Sequence, residues 1–177
     1  MGVFFVDTFV EQIVQKKKTG KEIAVVVAVA FGFAVVAVAT WLFFPIVGMI
    51  APILLFGAGY GAWWLITAQN VEFEYCVTNG DIDVDQIIAR RKRKRIVSVS
   101  SKKIEAAGRY DAARFQGRAF DRVVMAATSP KAEGLYYFTY YSKKRGRTLV
   151  VFEPNERVKA AFGEALPRLV QMDWDKA

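Results

Sequence analysis

The pattern of apolar and polar positions divides the chain into one long apolar run and a later stretch of alternating character. Ile23–Val71 contains no Asp, Glu, Lys, Arg or His. One membrane crossing needs roughly 20 apolar residues, so the run is long enough for two crossings and a turn. Pro45, Gly48 and Pro52 lie near its middle, and proline disfavours a continuous helix there. The alternative is a buried helix pair of a soluble protein. The predicted transmembrane hairpin spans 21–70, with helices at about 21–44 and 47–68.

From Val71 the apolar period changes to two. Residues 71–78 alternate as in a half-buried strand, and Asn79-Gly80 is a favoured hairpin turn. No alternation of strand and helix follows, so a parallel sheet is not expected. The predicted fold class is therefore a membrane protein of the α+β class, in which the hairpin precedes a small antiparallel β domain. That domain spans 71–177 and ends in a helix at 154–170, whose predicted inner face includes Val158, Phe162 and Leu169.

The N-terminal segment, 1–20, combines amphipathic and basic character. Residues 2–15 show helical periodicity, and lysines follow at 16–18. Such a helix could lie in the head-group plane, or dock on the soluble domain or on a second copy of the chain.

Small residues recur at a spacing of four in both predicted membrane helices. This spacing lets helices approach closely, so we expect these residues to pack the hairpin against itself. Homodimerisation through the second stripe is the alternative. The residues are Ala24, Ala28, Gly32, Gly57 and Gly61.

One basic run stands out in a chain with a formal net charge of +8. A strand hairpin that leaves the membrane and returns would bring this run to membrane level, with Asp81, Asp83 and Asp85 toward the far turn. Each Lys or Arg near an anionic leaflet contributes about 1 kcal/mol. The run is therefore a predicted lipid- or anion-binding site, and the alternative is a solvated loop that only fixes topology. Its members are Arg90, Arg91, Lys92, Arg93, Lys94 and Arg95.

The rest of the composition argues against catalysis. The chain has no histidine and a single cysteine, Cys76, so it lacks the commonest general base, the commonest transition-metal ligand and any internal disulfide. We therefore expect no enzyme activity, no cofactor and no metal. Membrane lipids are the expected partners, with a protein partner (at an exposed 135–141 edge) or a second copy also considered. A tether that binds nucleic acid through 90–95 and 143–147 is the alternative.

Positive charge flanks the apolar run on both sides, and the expected connection between its helices is short and uncharged. Because Lys and Arg concentrate in cytoplasmic loops, we expect a multi-pass membrane protein with both termini in the cytoplasm.

Several stretches carry a family resemblance. Two adjacent spans, then 75–80 (YCVTNG), a basic segment running into 96–99 (IVSV), and a final helix after 152–156 (FEPNE) resemble bacterial membrane proteins that carry a pleckstrin-homology-like domain. More narrowly, the chain is similar to a small, uncharacterised family of this plan. The resemblance implies a protein of the bacterial inner membrane. It also implies a seven-stranded, partly open barrel capped by a helix, with no enzymatic activity attached and no site residues to transfer.

Overall fold

A computed structural model describes residues 9–174, which form two compact units. We call them the helical unit, made of 17–71 and 88–91, and the β unit, made of 9–16, 72–87 and 92–174. The predicted N-terminal segment, 1–20, is therefore divided between the units. Residues 9–16 belong to the β unit and 17–20 to the helical unit, whereas 1–8 lie outside the described residues.

Eight strands and six helices make up the described chain. The strands are β1 Phe9–Gln15, β2 Val71–Thr78, β3 Asp81–Ile88, β4 Lys92–Ser100, β5 Ile104–Arg109, β6 Arg122–Ala126, β7 Tyr136–Ser142 and β8 Gly146–Phe152. The helices are α1 Gly20–Leu42, α2 Phe44–Val47, α3 Ala51–Thr67, α4 Ala112–Phe115, α5 Glu156–Ala165 and α6 Arg168–Trp174, with a short 3-10 turn at Ser101–Lys103.

The helical unit contains the two apolar helices that the sequence predicts. Helix α1 begins at a capping box in which the Thr19 backbone N–H donates to the Glu22 carboxylate at 2.7 Å. By length and composition, α1 is the one described helix long and apolar enough to cross a membrane, because α3 has 17 residues. The predicted bounds near the turn are wrong, since α1 ends at Leu42 and α3 begins at Ala51. Pro45 and Pro52 each lie in the first turn of a helix, α2 and α3, where a missing N–H costs nothing.

The contact between α1 and α3 involves a different glycine from those predicted. A methyl group added at Gly59 would lie 3.6 Å from the Phe33 ring. At Gly32, Gly57 or Gly61 it would meet no described atom within 4 Å outside its own turn of helix. Ala24 and Ala28 are likewise exposed. The predicted packing stripe therefore lies away from the contact between α1 and α3. At that contact the Phe33 ring of α1 lies against Gly59 of α3, in place of a close approach of the two backbones.

The predicted amphipathic helix at 2–15 is wrong where the structure describes it. Residues 9–15 form β1, which pairs antiparallel with β2 in the register Gln12 to Tyr75. The Gln12 side chain donates to the Glu153 carbonyl at 2.9 Å and accepts from the Asn155 N–H at 2.7 Å. An open edge of β2 and these distant partners outweigh the local helical periodicity, because sequence period alone does not show which backbone groups are available.

Two four-stranded sheets form the β unit, in the orders β1-β2-β3-β4 and β5-β7-β8-β6. We call them the first and the second sheet. Strands β6 and β8 pair in parallel, from Arg122 opposite Thr148 to Ala126 opposite Phe152. The expectation of a purely antiparallel domain is therefore wrong at this pair. The segment 127–135 carries the chain past β8, so that β7 pairs on its far side.

An aromatic core joins the two sheets and the C-terminal helices. Phe152 makes an edge contact with Tyr75 of the first sheet at 5.6 Å and another with Phe162 of α5 at 5.8 Å. Trp174 of α6 packs on Phe162 at 5.3 Å and is 2% exposed. A methyl group at Gly163 would lie 2.6 Å from the Trp174 indole nitrogen, so only glycine permits this approach.

The C-terminal helix is therefore two helices, and not one helix over 154–170 as predicted. Pro167 separates α5 from α6, which lets Trp174 return to the core. The predicted inner residues Val158 and Phe162 are buried, but Leu169 is 83% exposed.

The second sheet is covered on both faces. On the face away from Phe138, Tyr137 meets the Phe115 ring at 4.6 Å, and Tyr110 stacks on Phe115. Strand β7 lies between β5 and β8, and 135–140 are buried. The expectation of an exposed partner-binding edge at 135–141 is therefore wrong, because both edges of β7 are paired.

Replacing Tyr75 by Phe should destabilise the β unit by about 1–3 kcal/mol, the cost of leaving buried polar groups without a partner. The Tyr75 hydroxyl donates to the Ala126 carbonyl and accepts from the Glu153 N–H at 3.3 Å. Thermal unfolding of the purified full-length protein in detergent measures this loss. Tyr141→Phe is the control, because Tyr141 is 61% exposed, and an equal loss in both variants would contradict the assignment.

Candidate functional site

The basic run begins in a strained turn and continues as a strand. Ala89 and Arg90 link β3 to β4 with φ values of 54° and 56°, the left-handed region that L-residues other than Asn and Asp rarely adopt. Backbone N–H groups hold the turn, since Ala89 donates to the Asn70 carbonyl at 2.8 Å and Arg91 to the Ile88 carbonyl at 3.0 Å. The remaining four basic residues, 92–95, are the first residues of β4. The alternative of a solvated loop therefore does not describe 92–95, which are exposed but form part of a strand.

Two of the six cations are held by carboxylates of the same sheet. Arg95 contacts Asp83 and Asp85, each at 3.0 Å. Arg93 contacts Glu74 and lies 3.8 Å from Asp85. Glu74 and Asp85 are both 5% exposed, so the two guanidiniums compensate acids that would otherwise be buried without a partner.

The expectation that Asp81, Asp83 and Asp85 lie toward the far turn, away from the basic run, is therefore wrong for Asp83 and Asp85. Asp85 lies three residues before the end of β3, close to the β3–β4 turn, so it is near the basic strand and not at the far end. The alternation of Asp83 and Asp85 with apolar residues, followed by a three-residue turn and a basic strand, was a signal that could have revealed this pairing.

The pKa values of an acid and a base at this cluster, Glu74 and Arg95, are both raised, which disfavours the charged form of the acid and favours that of the base. Burial raises the pKa of the Glu74 carboxyl, while the Arg93 charge lowers it and the Glu11 and Asp85 charges raise it further. The hydrogen bond to Asp85 and the charge of Asp83 raise the pKa of Arg95. Arg95 therefore stays charged at any physiological pH, and Glu74 depends on Arg93 for its ionised form.

A third cation, Arg91, is bound within the helical unit. Its guanidinium donates to the Thr67 hydroxyl at 2.8 Å and lies over the Trp63 and Trp64 rings at 5.2 and 5.7 Å. Cation–π contact and a hydroxyl acceptor together orient this side chain at the C-terminal end of α3. Arg90 is exposed and has a further interaction partner.

The two lysines of the run differ from its arginines. Lys92 and Lys94 are exposed, and neither has a partner among residues 9–174. The structure thus divides the predicted six-residue site into two free lysines, two arginines held by carboxylates, an arginine on the helical unit, and Arg90. Of the second predicted basic stretch, Arg147 pairs with Glu105 at 3.7 Å.

Comparison with known families agrees with this fold. The family model described as a bacterial PH-like domain (DUF6106) matches residues 6–172. The chain belongs to this family. The range matched by the PH-like family includes the apolar helices as well as both sheets, and the predicted PH-like domain is confirmed. No curated protein and no solved structure matches the chain. Membrane crossing and cytoplasmic placement stay predictions.

Replacing Arg93 by Gln should destabilise the PH-like domain in a pH-dependent way. Without Arg93 the pKa of Glu74 rises further, so the neutral acid is favoured in the fold and its ionisation costs stability. The deficit relative to wild type should therefore be small below the ordinary glutamate pKa of 4.5 and grow as the pH rises above it.

We expect the variant to lose about 1–2 kcal/mol of unfolding free energy at neutral pH. The loss is small for a buried acid because solvent screens the exposed guanidinium. Unfolding temperatures of the full chain across this pH range measure the effect. Lys94→Gln, one residue along the strand, is the matched control and should leave the profile unchanged. A deficit that is equal at acid and neutral pH would refute the pairing.

Proposed function

We propose that this PH-like protein is a non-catalytic membrane-anchored module. The helical unit is a two-span hairpin that holds the PH-like domain at the inner leaflet of the bacterial cell membrane. There the free lysines of β4 bind anionic lipid head groups.

The apolar surface of the helical unit is the observation that carries this proposal. Its large hydrophobic side chains face outward on most sides, with Trp41 77%, Phe56 80% and Met49 95% exposed. Exposure on this scale is unfavourable in water and is expected of a surface covered by lipid. At about 1.5 Å per residue, the 23 residues of α1 span about 34 Å, slightly more than a hydrocarbon core of about 30 Å.

The polar groups of the helical unit support the same placement. The Thr40 and Thr67 hydroxyls each donate to a carbonyl of their own helix at 2.8 Å, so neither needs water. The charged residues of this unit lie before α1 or in its first turn, and after α3. Arg91 with Trp63 and Trp64 has the composition of a membrane–water boundary. By the positive-inside rule, both ends of the hairpin face the cytoplasm.

Chain connectivity brings the free lysines close to that boundary. Lys94 is three residues from Arg91, so their Cα atoms are within about 10 Å of each other however the two units are oriented. Two free lysines provide about 2 kcal/mol toward an anionic leaflet. This is weaker than the six-residue site predicted from the sequence, because Arg93 and Arg95 are held by carboxylates.

Topology is tested by a pair of cysteines in a Cys76→Ser background. Gln116→Cys lies on an exposed turn of the PH-like domain, and Met49→Cys lies in the connection between α2 and α3. A membrane-impermeant maleimide should label the first in inside-out vesicles only and the second in intact cells. The opposite pattern would invert the protein, and labelling of both in intact cells would contradict a two-span hairpin.

Lipid binding is tested at alternate positions of one strand. The full chain in neutral detergent should be stabilised by phosphatidylglycerol more than by phosphatidylcholine, and less so as salt is added. Changing Lys92 and Lys94 together to Gln should weaken apparent lipid affinity about thirtyfold, which corresponds to about 2 kcal/mol.

The matched control changes Arg93 and Arg95 to Gln. It should lower the unfolding temperature without lipid but keep the phosphatidylglycerol-dependent increase, because those guanidiniums are already paired. If both double variants respond to lipid like the wild type, β4 is not the lipid site. Salt-sensitive binding of nucleic acid instead would favour the tether alternative.

A further inference from the structure

Two arginines of the β unit converge on a single backbone carbonyl. Arg145, in the turn between β7 and β8, donates to the Ile96 carbonyl at 2.9 Å, and Arg122 of β6 donates to the same oxygen at 3.1 Å. The two donor nitrogens are therefore at most about 6 Å apart. One neutral acceptor satisfies one hydrogen bond of each guanidinium and leaves both positive charges uncompensated.

No carboxylate among residues 9–174 pairs with either guanidinium. Asp121, beside Arg122 in the chain, accepts instead from the Arg147 backbone N–H at 2.7 Å. Elsewhere on the β unit, Arg93, Arg95 and Arg147 each contact an acid. Like charges at this separation repel, and an anion between or beside them would offset that repulsion.

Arg145 and the shared acceptor residue, Ile96, line a small concave surface that Arg122 does not line. Its volume is about 240 Å³, below the range of about 300–1,000 Å³ typical of sites for drug-sized ligands. None of its lining residues is acidic. Those that could donate to an anion are Ser98, Tyr140, Ser142, Lys144 and Arg145, whereas the Arg95 guanidinium is already held by Asp83 and Asp85.

We propose that this pocket, between β4 and the β7–β8 turn, binds a phosphate group. The planar guanidinium of Arg145 suits two oxygens of one phosphate, Lys144 adds a mobile positive charge, and the serine hydroxyls supply short neutral donors. A free phosphate ester and a lipid head group share this chemistry. The site is separate from Lys92 and Lys94 and does not depend on the lipid binding proposed for them.

The first test titrates the full-length protein in neutral detergent with inorganic phosphate, against chloride at equal ionic strength, and follows the unfolding temperature. Phosphate should stabilise the wild type, and Arg145→Gln should weaken the apparent affinity about tenfold. Lys144→Gln, whose side chain makes no hydrogen bond or ion pair among the described residues, is a second variant that should fold normally and also weaken binding. Arg114→Gln removes an equal charge from exposed α4 and should bind as the wild type.

The second arm identifies the source of the phosphate. Nanodiscs of phosphatidylcholine with and without phosphatidic acid replace the detergent, and the same variants are compared. If only phosphatidic acid stabilises the protein in a way that depends on Arg145 and Lys144, the ligand is a lipid phosphate. If inorganic phosphate does so, the ligand is a soluble phosphate ester. If neither ligand stabilises the wild type, or if Arg145→Gln and Arg114→Gln respond alike in both arms, the pocket does not bind phosphate. The Lys92→Gln, Lys94→Gln double variant should keep its phosphate response.

Discussion

The Tyr75 hydroxyl is the interaction on which the closure of the β unit depends. It is fully buried in β2, and it donates to a carbonyl at the end of β6 and accepts from the first N–H after β8. Burial raises the pKa of this phenol, so the hydroxyl remains a donor at any relevant pH. Glu153 extends the link, since its carbonyl accepts from Gln12 of β1. One buried side chain thus joins the two sheets and sets where β1 and α5 meet them.

The buried carboxylates of the first sheet decide which cations remain available outside it. Glu74 and Asp85 are too buried to be left ionised without a partner, so Arg93 and Arg95 fold back onto the sheet. Lys92 and Lys94, which alternate with these arginines, stay in solvent. A basic run is therefore not equivalent to a basic surface: the charges available to a membrane or a phosphate are those that the fold itself does not use.

The same reasoning distinguishes the arginines of the second sheet. Arg147 is held by an acid, whereas Arg122 and Arg145 share one carbonyl. In the helical unit, hydroxyls and backbone groups are satisfied within the helices, which leaves an apolar exterior. The surface of the helical unit is therefore apolar and that of the β unit is charged. Each surface follows from where the polar groups of that unit find partners.

The apolar helices, the Asn79-Gly80 turn, most strands and the first C-terminal helix follow from the sequence alone, because each depends on local period or turn chemistry. Tertiary structure decided the rest. The periodicity of residues 9–15 predicts a helix, but these residues form a strand because they pair with the edge of β2. Arg93 differs from Lys94 only because Glu74 and Asp85 lie across the sheet, and Gly59 rather than Gly57 meets α1 because Phe33 faces it. The period of the sequence shows which residues of one helix or strand lie on the same face. The residues that this face contacts come from segments distant in the chain.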